Sequence, residues 1–353
     1  MSKFLDVSGS KLDYRRYGEA LFDILVAGGL LAPGGTLILD QTAGENNKTV
    51  SPTTEVSVFG RPSDEESLRA FTQVFVRLIR RYKYLEKSLE EDLKKIVVFL
   101  RAFTPDDRLK LGKLFAYLLA SGHITVSPLK TLLEQDLLVK EGLAFQFLLD
   151  VLAAWQSEKD ASTVWTSLRK SYLDSKLLEF LPQTKRTQEA FASAMLDAGL
   201  GQLLEYQKAQ RVETLKKLLA GKITNQIQNK GATPEDLIQL VQDYMDKNQF
   251  SESEVIIILW NTLMSLVDWS KKEELVADQA AKQLRFYIPL FGQFCKTSKA
   301  ELALLIRIQD YCYENMNFLK AFQKIVLLFY KSRFLIVSFY IFILYKFVFI
   351  IIR

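Results

Sequence analysis

One histidine, His123, and two cysteines, Cys295 and Cys312, are all that 353 residues contain of the two commonest metal-binding and nucleophilic side chains. A Ser-His-Asp or Cys-His constellation would have to use His123, and so would most zinc sites. His123 stands in Ser121-Gly122-His123-Ile124, where a polar residue in a helix-to-helix turn accounts for it. Two cysteines without Cys-x-x-Cys spacing exclude a disulfide framework, so the chain reads as intracellular. The start, Met1 to Asp6, puts an acid where the apolar run of a signal peptide would begin. Glycines 28, 29, 34 and 35 lack the Lys and Ser/Thr that a phosphate loop needs after its last glycine; here Thr36-Leu37 follows, after a helical segment. The acidic pairs Glu65-Glu66, Glu90-Glu91 and Glu273-Glu274 stand among lysines and read as solvated faces, not as a desolvated acid/base pair. Neither a catalytic residue, a cofactor nor a metal is therefore assigned, and the chain is read as a non-enzyme.

Charge is also in short supply once its source is located. The formal net charge is +5. Residues 332–353 carry Arg333, Lys346 and Arg353 and no acid, and without those three the body holds 43 basic against 41 acidic side chains. Bulk charge gives no case for nucleic acid.

What is present is helical grammar. Leu68, Phe71, Phe75, Leu78, Ile79 and Tyr82 recur at three- and four-residue steps, and Leu85, Leu89, Leu93, Ile96, Leu100 and Phe103 repeat the pattern. Ser63 to Glu66, Ser251 to Glu254 and Ser298 to Glu301 have capping-box spacing. Thr104-Pro105-Asp106-Asp107 and Thr233-Pro234-Glu235-Asp236 each put a cap before a first-turn proline and then acids on the positive helix end. Gly122, Gly199, Gly221 and Gly231 follow apolar-periodic segments as helix stops. Helices of about 12–20 residues with short connections predict antiparallel hairpins. The expected fold is all-α: HEAT-like hairpins stacked as an α-solenoid in two domains, without a clean sequence period. Residues 33–62, rich in Gly, Asn, Thr and Pro, read as a loop; its runs Thr36 to Asp40 and Thr54 to Phe59 form at most a small hairpin. A domain boundary is expected near Gly199-Leu200-Gly201.

Two segments could bind partners. Arg77, Arg80, Arg81, Lys83 and Lys87, interleaved with Tyr82 and Tyr84, form the strongest basic cluster. A solvated flank beside the apolar stripe explains it; contact with RNA phosphates or an acidic protein surface is the functional alternative. The second segment runs from Trp260 to Glu274. Nine residues separate Trp260 from Trp269, so the two either point to opposite sides of one helix or the helix ends between them. Trp260, after an apolar run, reads as core. Trp269, before Glu273-Glu274, could edge an aromatic and acidic groove for a basic peptide.

Several runs resemble one family. They are Leu12 to Tyr17, Leu21 to Gly28, Ala32 to Thr36, Leu78 to Lys87, Leu138 to Gly142, Trp269 to Ala277, Tyr311 to Asn315 and Lys320 to Val326. In these the chain resembles the basic leucine-zipper and W-two domain family, also called initiation factor five mimic proteins, over residues 3–331. The resemblance implies a HEAT-like domain over 1–199, a W-two domain over 200–331 and no catalysis. It implies cytoplasmic binding of the lysine-rich segment of the initiation factor two beta subunit, and of initiation factor three within the preinitiation complex. Competition with factor five and tuning of start-codon selection would follow. No leucine-zipper heptads accompany the family's name.

Two departures from the family stand out. The family's basic N-terminal extension is missing before the run that begins at Lys3, and the resemblance stops at Tyr330-Lys331. Residues 332–353 replace the helices that carry the family's second aromatic and acidic box. Phe334 to Ile352 is long and apolar enough for a membrane span despite Lys346, which would make a tail-anchored scaffold. The abrupt switch inside a matching stretch favours a second origin, translation of AT-rich noncoding DNA past a missed splice junction.

Overall fold

The computed structural model describes Leu5 and residues 12–38, 54–269 and 273–332. Tail residues 333–353, residues 39–53 of the loop and Lys3 lie outside the described residues. The chain divides into two compact units, Met1–Gln210 and Arg211–Arg353. Among the described residues the regular structure is helical, with one isolated bridge between Leu31 and Leu37.

The N-terminal unit contains α1 (Gly18–Ala27), α2 (Glu65–Arg81), α3 (Leu85–Val98), α4 (Pro105–Ala120), α5 (Leu143–Glu158), α6 (Ala161–Lys170) and α7 (Gln188–Asp197). Helix α1 packs on α3 and α2 on α4, so neighbours in space lie two apart in sequence, while α4 and α5 make the most extensive contact. This is the arrangement of stacked helical hairpins. Both predicted stripes are buried apart from Tyr82, which is half-buried. Burial at about 25 cal/mol per Å² of apolar area drives the stack, because no single hairpin can cover its own stripe.

Local caps fix the helix ends. Thr104 accepts the N–H of Asp107 at 3.2 Å ahead of Pro105, as the sequence predicts. At α2 the cap is Asp64 rather than Ser63: Asp64 accepts the N–H of Ser67 at 2.7 Å, while the Ser63 carbonyl accepts from Lys113 Nζ. Glu65 and Glu66 open α2 and Arg80 and Arg81 close it, each matching the helix dipole.

The glycine-rich segment is structural. Gly28 closes α1 at φ +84°, its carbonyl accepts from the N–H of Thr54, and a Cβ there would lie 2.8 Å from the Thr54 carbonyl oxygen. Among the described residues the two alternating runs do not pair with each other. Thr36 to Ile38 turns back on Leu30 to Ala32, and the N–H groups of Val58 and Phe59 donate to the Leu25 and Val26 carbonyls at the end of α1.

The unit boundary falls within α8 (Gly201–Lys230). Thirty residues exceed the predicted length, and Gly221 is an interior residue rather than a stop. Leu219 and Ile223, four apart, are fully buried on either side of it, and that packing outweighs the roughly 1 kcal/mol a helical glycine costs.

The C-terminal unit continues with α9 (Pro234–Asn248), α10 (Glu252–Ser265), α11 (Glu273–Phe286), α12 (Ile288–Phe294), α13 (Ser298–Glu314) and α14 (Phe322–Lys331). Pro289 breaks α11 from α12. With those two counted as one kinked helix, contacts again join elements two apart: α9 with α12, α10 with α13, α11 with α14. Thr233 with Asp236, and Ser251 with Glu254, make complete capping boxes. At α13 the cap is Thr297, not Ser298; Thr297 is held from the other side by the carboxylate of Glu252.

Trp260 is fully buried at the centre of this unit, against Phe291, Tyr311 and Phe329 with ring centroids 5.8–6.5 Å away. Cys295 and Cys312 are buried thiols outside any disulfide, and burial pushes both up to about 12.

Candidate functional site

The basic cluster straddles a helix-to-helix turn instead of lying along one helix. Arg77, Arg80 and Arg81 belong to the last turns of α2, Lys83 to the connection, and Lys87 to the start of α3; all five side chains are exposed. Lys83 pairs with Glu86. Arg77, Arg80 and Lys87 make no ion pair among the described residues.

One arginine joins this cluster that sequence inspection does not place there. The turn before α1 sets Arg15 over the ring of Tyr84, 5.1 Å from its centroid, and Arg16 over Tyr17 at 5.4 Å. Asp13 shapes that turn, accepting the N–H groups of Arg15 and Arg16 at 3.0 and 3.3 Å. The Tyr84 ring lies 6.0 Å from that of Tyr82, and Arg81 stands 5.7 Å from the Tyr82 centroid. Tyr14 meets the Tyr82 edge at 5.5 Å and donates its hydroxyl to the Leu5 carbonyl. The only sequence signal was the run Tyr14-Arg15-Arg16-Tyr17, whose alternation mirrors Arg81 to Tyr84.

His123 lies in the turn after α4, as predicted. Burial, then the positive charge of Arg80, holds its imidazole below the ordinary value, with Lys83 adding to the effect and Glu86 opposing it. The histidine is thereby kept neutral beside the cluster.

In the C-terminal unit the helix ends before Trp269 is reached. Trp269 sits past the end of α10, half-buried, and its indole N–H donates to the Met264 carbonyl at 3.0 Å. Its ring meets Phe318 edge-on at 4.9 Å, and Phe318 in turn meets Tyr311 at 5.1 Å. The Gln279 amide of α11 donates to the Asp268 carbonyl at 2.7 Å. Glu273 and Glu274 form the first turn of α11, directly after that connection. The fold thus holds Trp269 against an aromatic cluster, and α11 opens with Glu273 and Glu274. Trp269 has used its polar atom internally, so only ring surface is left to offer a partner. Asp278, one turn further, pairs with Lys324 of α14. Among the described residues no three His, Cys, Asp or Glu side chains are grouped to hold a metal ion. No helix among them is long and apolar enough to cross a membrane.

Comparison with known proteins gives this arrangement its relatives. The profile of the 5MP1/2 HEAT domain matches residues 1–217. The eIF5-mimic protein 2 of Gallus gallus is 47% identical over 332 residues, which is 94% of this chain and 77% of that protein. The Homo sapiens eIF5-mimic protein 2 is 46% identical over 94% of this chain and 76% of its own length. Protein krasavietz of Drosophila melanogaster is 44% identical, again over 94% and 76%.

Proposed function

Because the chain belongs to the eIF5-mimic protein family, we propose that it regulates translation initiation as a binding protein that competes with eIF5. Its C-terminal unit takes the lysine-rich segment of the eIF2 beta subunit, and the chain also engages eIF3 within the preinitiation complex in the cytoplasm. Occupying those positions withholds them from eIF5 and so shifts start-codon selection.

The observation that supports this reading most is the placement of Trp269 on an aromatic cluster shortly before the first turn of α11, which the sequence opens with Glu273 and Glu274. A helix N-terminal turn with two acidic residues, close in sequence to an aromatic edge, suits a lysine-rich peptide: the aliphatic stems would lie on the rings and the ammonium groups would meet the acids. Exposed acid–lysine pairs are individually worth about 0–1 kcal/mol, so affinity has to come from several lysines engaged at once.

A peptide carrying the eIF2 beta lysine-rich segment, titrated calorimetrically into the full chain, tests the proposal. Saturable binding that weakens with salt, and that drops several-fold in a Glu273→Gln/Glu274→Gln variant, is the expected result. Unchanged binding in that variant would move the site elsewhere. No binding of either factor by a chain that melts cooperatively would sink the reading.

A further inference from the structure

The turn before α1 and the junction of α2 with α3 build a surface strip in the order Arg15, Tyr84, Tyr82, Arg81, with successive members 5.1–6.0 Å apart. The geometry points to this strip as a single-stranded RNA-binding platform in the N-terminal unit, independent of the factor-binding role proposed for the C-terminal unit.

Three observations carry it. First, three cations of the cluster are uncommitted: Arg77, Arg80 and Lys87 have no ion pair among the described residues, while Glu86 is engaged with Lys83 and Asp13 with two backbone N–H groups. Second, the strip's outer ring is accessible: Tyr84 is 39% exposed, with half-buried Tyr82 beneath it, although tyrosine rings could be covered by the same hairpin packing that buries Tyr117 and Tyr287. Third, Arg15 comes from a segment nearly seventy residues away and settles on a tyrosine face rather than on a carboxylate.

Interleaved arginine and aromatic side chains are what single-stranded nucleic acid requires. Bases stack on rings and guanidinium planes, and phosphates lie against the cations. An acidic protein partner would need the cations alone, and the exposed rings would then have no role. Duplex recognition is disfavoured because paired bases cannot splay onto rings. Phosphate contacts at three or so of these cations would be sequence-tolerant and steeply salt-dependent.

Fluorescence anisotropy of a labelled twelve-nucleotide oligouridylate with the full chain provides the test. Saturable binding is expected at 50 mM salt, weakening about tenfold to twentyfold by 200 mM from the slope of roughly −0.7 per phosphate. Arg80→Glu or Arg15→Glu should weaken it about tenfold, and Tyr84→Ala about fivefold or more. Tyr84→Phe keeps the ring and should bind like the parent. Lys222→Glu, in the C-terminal unit, serves as a charge-matched control with no expected loss. The proposal is overturned if no saturable binding occurs at 50 mM salt, or if Arg80→Glu and Tyr84→Ala chains with unchanged melting bind as tightly as the parent. It is equally overturned if Lys222→Glu loses as much as Arg80→Glu, or if a polyglutamate peptide displaces the oligonucleotide at matched charge.

Discussion

The two units stack helices in the same way and both bury most of their aromatic rings, but they differ in how the cations meet the rings. In the N-terminal unit Tyr17 and Tyr84 reach the surface with arginines laid against them. In the C-terminal unit both tryptophans pack on other rings, Trp260 with Phe291, Tyr311 and Phe329, and Trp269 with Phe318, while Phe286 and Tyr313 are exposed without an arginine against them among the described residues. Their buried polar content differs too. Between α1 and α3 the N-terminal unit holds Lys95 Nζ 2.9 Å from Asp23 and 2.7 Å from Asp92, and Asp23 also accepts the N–H of Leu31. One cation between two carboxylates ties the N-terminal loop to the stack. The lesson is that an aromatic residue signals recognition only where the fold leaves it outside; a tryptophan in the C-terminal unit is first a packing residue.

The largest effect expected from this contrast is at Trp260. Trp260→Ala empties the centre of the C-terminal unit and should cost about 3–5 kcal/mol. Urea unfolding followed by hydrogen exchange should show the loss confined to the C-terminal unit, α9–α14 and the end of α8. Equal destabilisation of α1–α7 would break the division between the units.

Next comes Lys95→Met, which leaves two carboxylates facing each other without their cation. Removing one partner of a fully buried pair costs about 3–5 kcal/mol; Lys95 keeps 31% of its side chain exposed, so about 2 kcal/mol is expected, now in the N-terminal unit. The same cluster sets a pH dependence. Burial, with the charge of Asp23 adding to it and Lys95 opposing, pushes the Asp92 carboxyl up to about 7. The folded unit therefore holds a proton that the unfolded chain has already released above about pH 4. Stability that is fully present below that value is lost as pH rises through about 7. Urea midpoints at pH 5 and 7.5 should differ in that direction, and Asp92→Asn should flatten the difference; an unchanged slope would remove Asp92 from the account.

The smallest effect is at Trp269. Trp269→Phe keeps a ring against Phe318 and loses one hydrogen bond, so about 1 kcal/mol is expected. Binding of the lysine-rich segment should then change little, because the indole N–H is already spent. A large loss of binding without loss of stability would return Trp269 to a direct recognition role.

Much of this fold was legible because helix stripes and proline-preceded caps are local signals. The stripe from Leu68 to Ile79 and the caps at Thr104, Thr233 and Ser251 need only a few residues of context. The misreadings share one physical cause, tertiary contact overriding a local rule. Gly221 stays helical because Leu219 and Ile223 are buried, and Thr297 rather than Ser298 caps α13 because Glu252 reaches across to hold it. Arg15 was invisible as part of the basic cluster for the same reason, since nothing near it in sequence announces Tyr84. Trp269 could be placed near the helix end from its nine-residue spacing, but its bond to Met264 could not.

The most direct test is competition on one eIF2 beta segment. With labelled eIF5 bound to the immobilised segment, increasing amounts of the full chain should displace eIF5 to completion with a single midpoint. Retention of eIF5 at saturating concentrations of a folded chain would contradict the account.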